Sequence, residues 1–244
     1  VNDTWMPDSG RLLYKTVQSK NRLKKYTIDQ EECSGECAVK KAAQLIQEDK
    51  HTAFVASGKA SVEEQFLLKQ IVDASSGNAT LVNHIGEGDN FLISADRTPN
   101  LRGALVTGLI KELPDSDLTA LAQKIDTGQI KTLVSQGEDL TAGISEELLD
   151  KITIIYLGTH ANTTSEKSRV VIPTLTFFEK NGSFINQQFR LQNFEQAVPG
   201  PLAVFPDIRT LSMLAHIMGT KLQEMTTLSQ VWQVMSKSIK ILSA

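Results

Sequence analysis

Apolar positions along this chain switch repeatedly between two periods. Over 35–49, Ala38, Ala42, Leu45 and Ile46 follow the three-four spacing of a helix with one buried face. A short apolar, partly β-branched run over 52–56 then predicts a strand that ends at Ser57-Gly58. Ser61, with Glu64 three residues later, has the form of a capping box and opens a helix running to about Ala74. The alternation continues with a strand over 79–84, a helix over 118–125, a strand over 130–135, a helix over 145–150 and a strongly apolar strand over 152–157.

Strands alternating with helices imply parallel pairing, because a crossover helix is what returns the chain to begin a parallel neighbour. The architecture this predicts is α/β, a doubly wound, mostly parallel, Rossmann-like sheet. After Gly158 the pattern changes. A strand over 170–172 should stop at Pro173, which has no amide hydrogen to donate. A short hairpin is expected near 177–190, with Asn181-Gly182 as its tight turn. Pro199, Gly200, Pro201 and Pro206 mark a loop, followed by helices over 207–218 and 228–242. The first thirty residues are polar, with Lys20, Arg22, Lys24 and Lys25 close together and no persistent period, and read as an extended lead-in to a domain over 31–244.

Composition narrows the function classes. With 244 residues, 41% of them hydrophobic and 22% charged, the chain can bury a sizeable core. A net charge of −3 supplies no global positive field for phosphates, so nucleic acid is not an expected partner. The apolar run over 103–110 is less than half of what a membrane span needs, and no membrane insertion is expected. The chain begins at Val1, without a secretory layout, and reads as a fragment. Its two cysteines, Cys33 and Cys37, cannot staple a domain of this size, which points to a reducing, cytoplasmic compartment.

Candidate chemistry is sparse. Cys33 and Cys37 lack a third or fourth metal-ligating partner, and His51, His84, His160 and His216 are dispersed. Ser57-Gly58-Lys59 resembles the end of a phosphate loop, but Ala53 and Ala60 stand where a glycine and a hydroxyl are needed. Gly86-Glu87-Gly88 lacks the third glycine of a dinucleotide fingerprint, and Glu87 would repel a pyrophosphate. No nucleophile elbow or Cys-His pair is present. Glu63/Glu64 and Glu146/Glu147 fall on helix faces where solvation is the default, and Glu179-Lys180 reads as part of a turn rather than an acid-base pair. No catalytic, cofactor-binding or metal-ligating residue is therefore assigned. Open α/β sheets nevertheless place ligands at the carboxyl ends of their strands, which keeps a small-ligand or nucleotide site open.

Two patches resemble a known family. Val1-Asn2-Asp3-Thr4-Trp5-Met6-Pro7-Asp8-Ser9-Gly10-Arg11, followed by Tyr14-Lys15, is similar to the segment after the iron-sulfur region in the large peripheral-arm subunit of bacterial NADH:quinone oxidoreductase, respiratory complex I. Asp96-Arg97-Thr98-Pro99-Asn100-Leu101-Arg102-Gly103-Ala104, Leu157-Gly158-Thr159, Val171-Ile172-Pro173, the run from Phe178 to Asn186 and Arg190-Leu191-Gln192 resemble the molybdopterin-oxidoreductase-like part of that same large subunit. The resemblance implies a fold descended from pterin-binding molybdenum enzymes such as formate dehydrogenases. Pro7 stands where many of these large subunits carry the last cysteine ligand of an extra iron-sulfur cluster, and proline cannot complete it. The patch from Asp96 to Ala104 falls where catalytic members place the Cys, Ser or selenocysteine that binds molybdenum, and holds Arg97-Thr98-Pro99-Asn100 instead. Arg190 is expected to hold a backbone carbonyl or carboxylate, and in a cofactor-bearing relative to face the pterin.

The resemblance therefore implies a C-terminal structural and assembly domain within an NADH-to-quinone electron-transfer complex. It would have no cofactor in this fragment, and iron-sulfur clusters in the parent would lie N-terminal to it. Its partners would be other peripheral-arm subunits, and its place the cytoplasmic face of the inner membrane. The alternative is a fragment of an active molybdopterin-dependent oxidoreductase of the formate dehydrogenase type.

Overall fold

A computed structural model describes residues 8–82, 84, 86–89, 94–113 and 118–239. Pro7, the start of the first resembling patch, Asn83 at the end of one predicted strand and positions 240–242 of the last predicted helix lie outside them. The chain opens with a short helix α1 (Asp8–Arg11) and a 3-10 turn (Leu13–Gln18). The rest alternates: β1 (Tyr26–Ile28), β2 (Glu31–Cys33), α2 (Gly35–Glu48), β3 (Ala53–Ser57), α3 (Val62–Ser75), β4 (Asn78–Val82), α4 (Leu101–Val106), α5 (Thr119–Asp126), β5 (Thr132–Gln136), α6 (Glu146–Leu149), β6 (Thr153–Gly158), α7 (Thr163–Glu166), β7 (Val170–Pro173), β8 (Gly182–Ile185), β9 (Leu191–Phe194), α8 (Asp207–Ile217) and α9 (Leu228–Ser238).

Seven strands form one sheet in the order β2-β1-β7-β6-β5-β3-β4. From β7 to β4 every neighbour is parallel, while β1 and β2 join antiparallel at one edge. The stretch read as an extended lead-in thus supplies β1, which pairs with β7 through Thr27 and Ile28. Pro173 is the last residue of β7, as its missing donor requires.

Burial alternates along the strands with period two. Phe54 and Ala56 of β3, Val134 of β5 and Ile155 and Leu157 of β6 point into a large core under α2, α3, α8 and α9. Ala53 and Val55, Leu133 and Ile154 point into a smaller core on the opposite face, under α5 and α6. Helices on both faces make the sheet doubly wound. The Ser61 and Glu64 capping box is present at the start of α3, each side chain bonded to the other residue's backbone N–H.

The hairpin near 177–190 exists, but its turn differs from the expectation. Asn181-Gly182 is not the turn; Gly182 is the first residue of β8, which pairs with β9 from Gly182↔Phe194 to Ile185↔Leu191. The chain reverses over 186–190, where Asn186 Oδ1 accepts from the N–H groups of Gln188 and Arg190 and Phe189 takes φ 57°. Gly182 is required by proximity instead: a Cβ there would lie 2.6 Å from the Phe194 ring and 3.0 Å from Ser61 Cβ.

Candidate functional site

The parallel strands, in the order β4-β3-β5-β6-β7, run outward from β3 to β4 and then return to the other side of β3. The order reverses between β3 and β5, and in open α/β sheets the carboxyl ends beside such a reversal are where ligands bind. A cleft of about 370 Å³ lies there. It is lined by Ser57 and Lys59 at the end of β3, Gln136 and Gly137 at the end of β5, Leu157 to His160 at the end of β6 and Thr174 to Phe177 after β7. The start of α8, with Asp207, Thr210 and Leu211, closes one side, and Leu13 and Thr16 of the N-terminal 3-10 turn reach the other.

Three charged side chains meet in its wall. Lys180 Nζ lies 2.5 Å from Glu64 Oε1 and 2.5 Å from Asp207 Oδ2. Glu64 Oε2 also accepts the Ser61 N–H, and Asp207 Oδ1 accepts the Leu175 N–H. Burial works against the Lys180 ammonium, yet the Asp207 and Glu64 carboxylates outweigh it and hold it above its ordinary range. Burial raises the Asp207 carboxyl from 3.8 to about 7 against the pull of the Lys180 ammonium, and the Glu64 carboxylate adds to the rise. The three residues also border a second cleft of about 420 Å³ beside Gly200 and Thr227, so the ion cluster forms part of the wall between the two.

A second buried cluster surrounds Arg22. Its guanidinium bonds Glu179 Oε2 at 2.6 Å, the Thr159 carbonyl at 2.6 Å and the Thr174 carbonyl at 2.9 Å. Glu179 Oε2 in turn accepts the Thr176 N–H and hydroxyl. Arg22 thus fastens the N-terminal stretch to the loops that follow β6 and β7. Glu179 and Lys180, adjacent in sequence, serve different clusters, and neither bonds the other.

At the strand-order reversal, Ser57 Oγ donates to Glu138 Oε1 at 2.5 Å, and Glu138 Oε2 bonds His84 Nε2 at 2.9 Å. The carboxylate stands between the hydroxyl and the imidazole, so His84 does not activate Ser57 as a base would. Ser57 Oγ also accepts the Lys59 N–H, which shapes the turn after β3.

The patch from Asp96 to Ala104 packs beside this turn. Asn100 is fully buried; its Nδ2 donates to the Ala60 carbonyl and to Gln65 Oε1, and its Oδ1 accepts the Ile185 N–H of β8. Every polar atom of the side chain is thereby used to join the α3–α4 region to the hairpin. Thr98 lies so close over Gly58, and Asn100 over Gly103, that neither glycine has room for a Cβ. Arg97 reaches back to the Glu87 carbonyl at 2.6 Å and covers Gly86, so Gly86-Glu87-Gly88 is a clasped loop and not an open phosphate cradle.

The helix carboxylates depart from the expectation of solvation. Glu63 and Glu64 are 1% and 4% exposed, because the first turn of α3 lies beneath β8 and α9. Glu63 accepts the Ser183 N–H and hydroxyl and the Trp232 indole N–H. Glu146 and Glu147 are exposed, as expected. Arg190 is exposed at the start of β9.

These residues do not fit molybdenum. Cys33 and Cys37 sit at β2 and the start of α2, at the sheet edge four strands from β5, roughly 19 Å away at the usual strand spacing. Burial and the neighbouring Cys37 also push the Cys33 thiol up, disfavouring the thiolate that a soft metal needs. Within the resembling patch the Asn100 amide is bonded throughout within the protein, whereas the buried Thr98 hydroxyl has no hydrogen-bond partner among the described residues.

Residues 82–216 match the family model described as molybdopterin oxidoreductase, and the chain belongs to that family. A chain of the formyltransferase/hydrolase complex (FhcABCD) from Methylorubrum extorquens, solved with methylofuran, is similar over 79% of this chain and 98% of that one. The identity is 10% and the TM-score 0.50, so the likeness is one of fold. No curated protein sequence matches the chain. Among the described residues, no helix is long and apolar enough to cross a membrane.

Proposed function

We propose that this chain is a molybdopterin-oxidoreductase-type domain without its own redox centre, serving as the C-terminal structural and assembly domain of the large peripheral-arm subunit in an NADH:quinone oxidoreductase. The observation that carries the reading is the patch from Asp96 to Ala104: where catalytic relatives place the metal ligand it holds Arg97-Thr98-Pro99-Asn100, and the buried Asn100 amide spends all its hydrogen bonds on the protein's own backbone and Gln65. Such a residue stabilises the domain and is not itself free to bind a metal. The two patches that resemble the large subunit support the assignment to the peripheral arm, with the iron-sulfur clusters of the parent lying N-terminal to this chain.

The test is to tag the full-length parent in its own cells and purify it in mild detergent. The expected result is co-purification with peripheral-arm subunits, NADH-driven reduction of an artificial acceptor, and electron paramagnetic resonance signals from iron-sulfur centres alone. The family match favours a second reading, a fragment of an active molybdopterin enzyme. Purification with formate-oxidising activity and a molybdenum(V) signal would establish that reading in place of the first.

A further inference from the structure

The two thiols of the chain meet at the edge of the sheet. Cys33 is the last residue of β2, and Cys37 is the third residue of α2. Ser34 caps the helix between them, its side chain accepting the Cys37 N–H at 3.2 Å, so the first turn of α2 folds back over the end of the strand. The Cys33 sulfur lies on that turn: it receives the Ala38 N–H and is hydrogen-bonded to the Cys37 side chain. Two side chains that already touch leave the backbone little to move before a disulfide closes.

The surroundings of the two sulfurs differ. Cys37 is exposed, while Cys33 is half-buried and packs against the core beneath α2. Burial, with Cys37 beside it, pushes the Cys33 thiol above its ordinary range. An outer sulfur that a solute can reach, with an inner one held against it, is the arrangement of a thiol exchange site. A structural zinc needs about four donors, and this pair supplies two. We propose that Cys33 and Cys37, joined across the corner between β2 and α2, form a reversible dithiol–disulfide site that reacts with small disulfides. Cys37 as the thiolate attacks one sulfur of the solute disulfide RSSR, and the first RS− leaves. Cys33, its proton given up to solvent, attacks Cys37 Sγ in the mixed disulfide, and the second RS− leaves. The cysteine pair is oxidised by two electrons, RSSR is reduced to two RSH, and the protons lost by the cysteines end on the two leaving thiols. The new bond ties β2, the outermost strand of the sheet, to α2. A reducing compartment suits such a pair, because disulfides there are transient and report redox state. The site uses no partner subunit and no molybdenum, so it stands apart from the assembly role.

The test treats the 244-residue chain with hydroxyethyl disulfide, or with mixtures of reduced and oxidised glutathione, alkylates the thiols that remain and weighs the tryptic peptide over 26–40. The expected result is that both thiols disappear together, the peptide loses about 2 Da, the chain stays monomeric and dithiothreitol restores both thiols. Cys33→Ser should stop at a mixed disulfide on Cys37. In Cys37→Ser the remaining Cys33 should react at least about tenfold more slowly than Cys37 does in Cys33→Ser. The native fold should raise the equilibrium constant for closing the disulfide at least about tenfold over the same chain in urea, because the fold holds the two sulfurs together. That comparison needs no variant and separates folded geometry from mere closeness in sequence. The proposal is overturned if the native chain stops at the mixed disulfide, if it oxidises by linking two chains, if Cys33 reacts as fast as Cys37, or if urea leaves the equilibrium constant unchanged.

Discussion

Arg22 shows how much a single side chain can decide. In sequence it belongs to a run of basic residues within an extended lead-in; in the fold its side chain is wholly buried against Glu179, whose own side chain is 2% exposed. Breaking such a pair strands a buried charge, so Arg22→Met should lower the unfolding free energy by about 3–5 kcal/mol, measured by urea denaturation. Replacing both members with apolar residues should restore most of that loss. Asp207 provides a pH signature. Its folded carboxyl titrates near 7 against an ordinary 3.8, so the native state holds the proton more tightly than the unfolded chain does. The stability this contributes is full below about pH 4 and is lost as the pH rises through about 7. Across that window the wild type should lose unfolding free energy relative to Asp207→Asn, with urea midpoints at each pH as the readout. None of this was legible in the sequence, because partners 27 residues away, as Lys180 is from Asp207, or 157 away, as Glu179 is from Arg22, leave no local mark. Glu179-Lys180 could be seen as a charged pair, but not that its members turn to Arg22 and Asp207.

Elements were more legible than side-chain roles, and the reason is their periodicity. β3, β5 and β6 lie within one or two residues of their predicted positions because their runs are apolar on both faces, as strands buried by helices on either side must be. The antiparallel edge was not legible. β1 and β2 are three residues each, and they are joined through Asp29 and Gln30 at φ 49° and 67°, a left-handed turn built without glycine. The hairpin turn was misplaced for the opposite reason: Asn181-Gly182 has the composition of a tight turn, but the glycine answers the approach of Phe194 and Ser61. Gly182→Ala should therefore destabilise the domain by about 1–3 kcal/mol through overpacking. Amide hydrogen exchange should show the loss concentrated in β8 and β9, whereas a uniform loss would mean that the hairpin is not the site of strain.

At the scale of the whole molecule, topology and chemistry point in different directions. The sheet reverses its strand order between β3 and β5 and opens a cleft there, as a cofactor-binding α/β protein does. Several residues around the reversal bond one another, with Ser57 to Glu138 and Asn100 to Gln65 and Ile185, while both thiols lie at the far edge of the sheet. Fold and function are separable in this way because a fold is maintained by packing, whereas a metal site depends on a few donors that must stay free. The family fold was legible from the sequence through the motif patches, and the engagement of Asn100 only became readable once its side chain could be followed to its partners. The most direct measurement is the molybdenum and tungsten content, with pterin fluorescence, of the chain purified from cells supplied with molybdate and tungstate. The account predicts neither metal in stoichiometric amount and no pterin; a tightly held metal with its pterin, at one per chain, would contradict it.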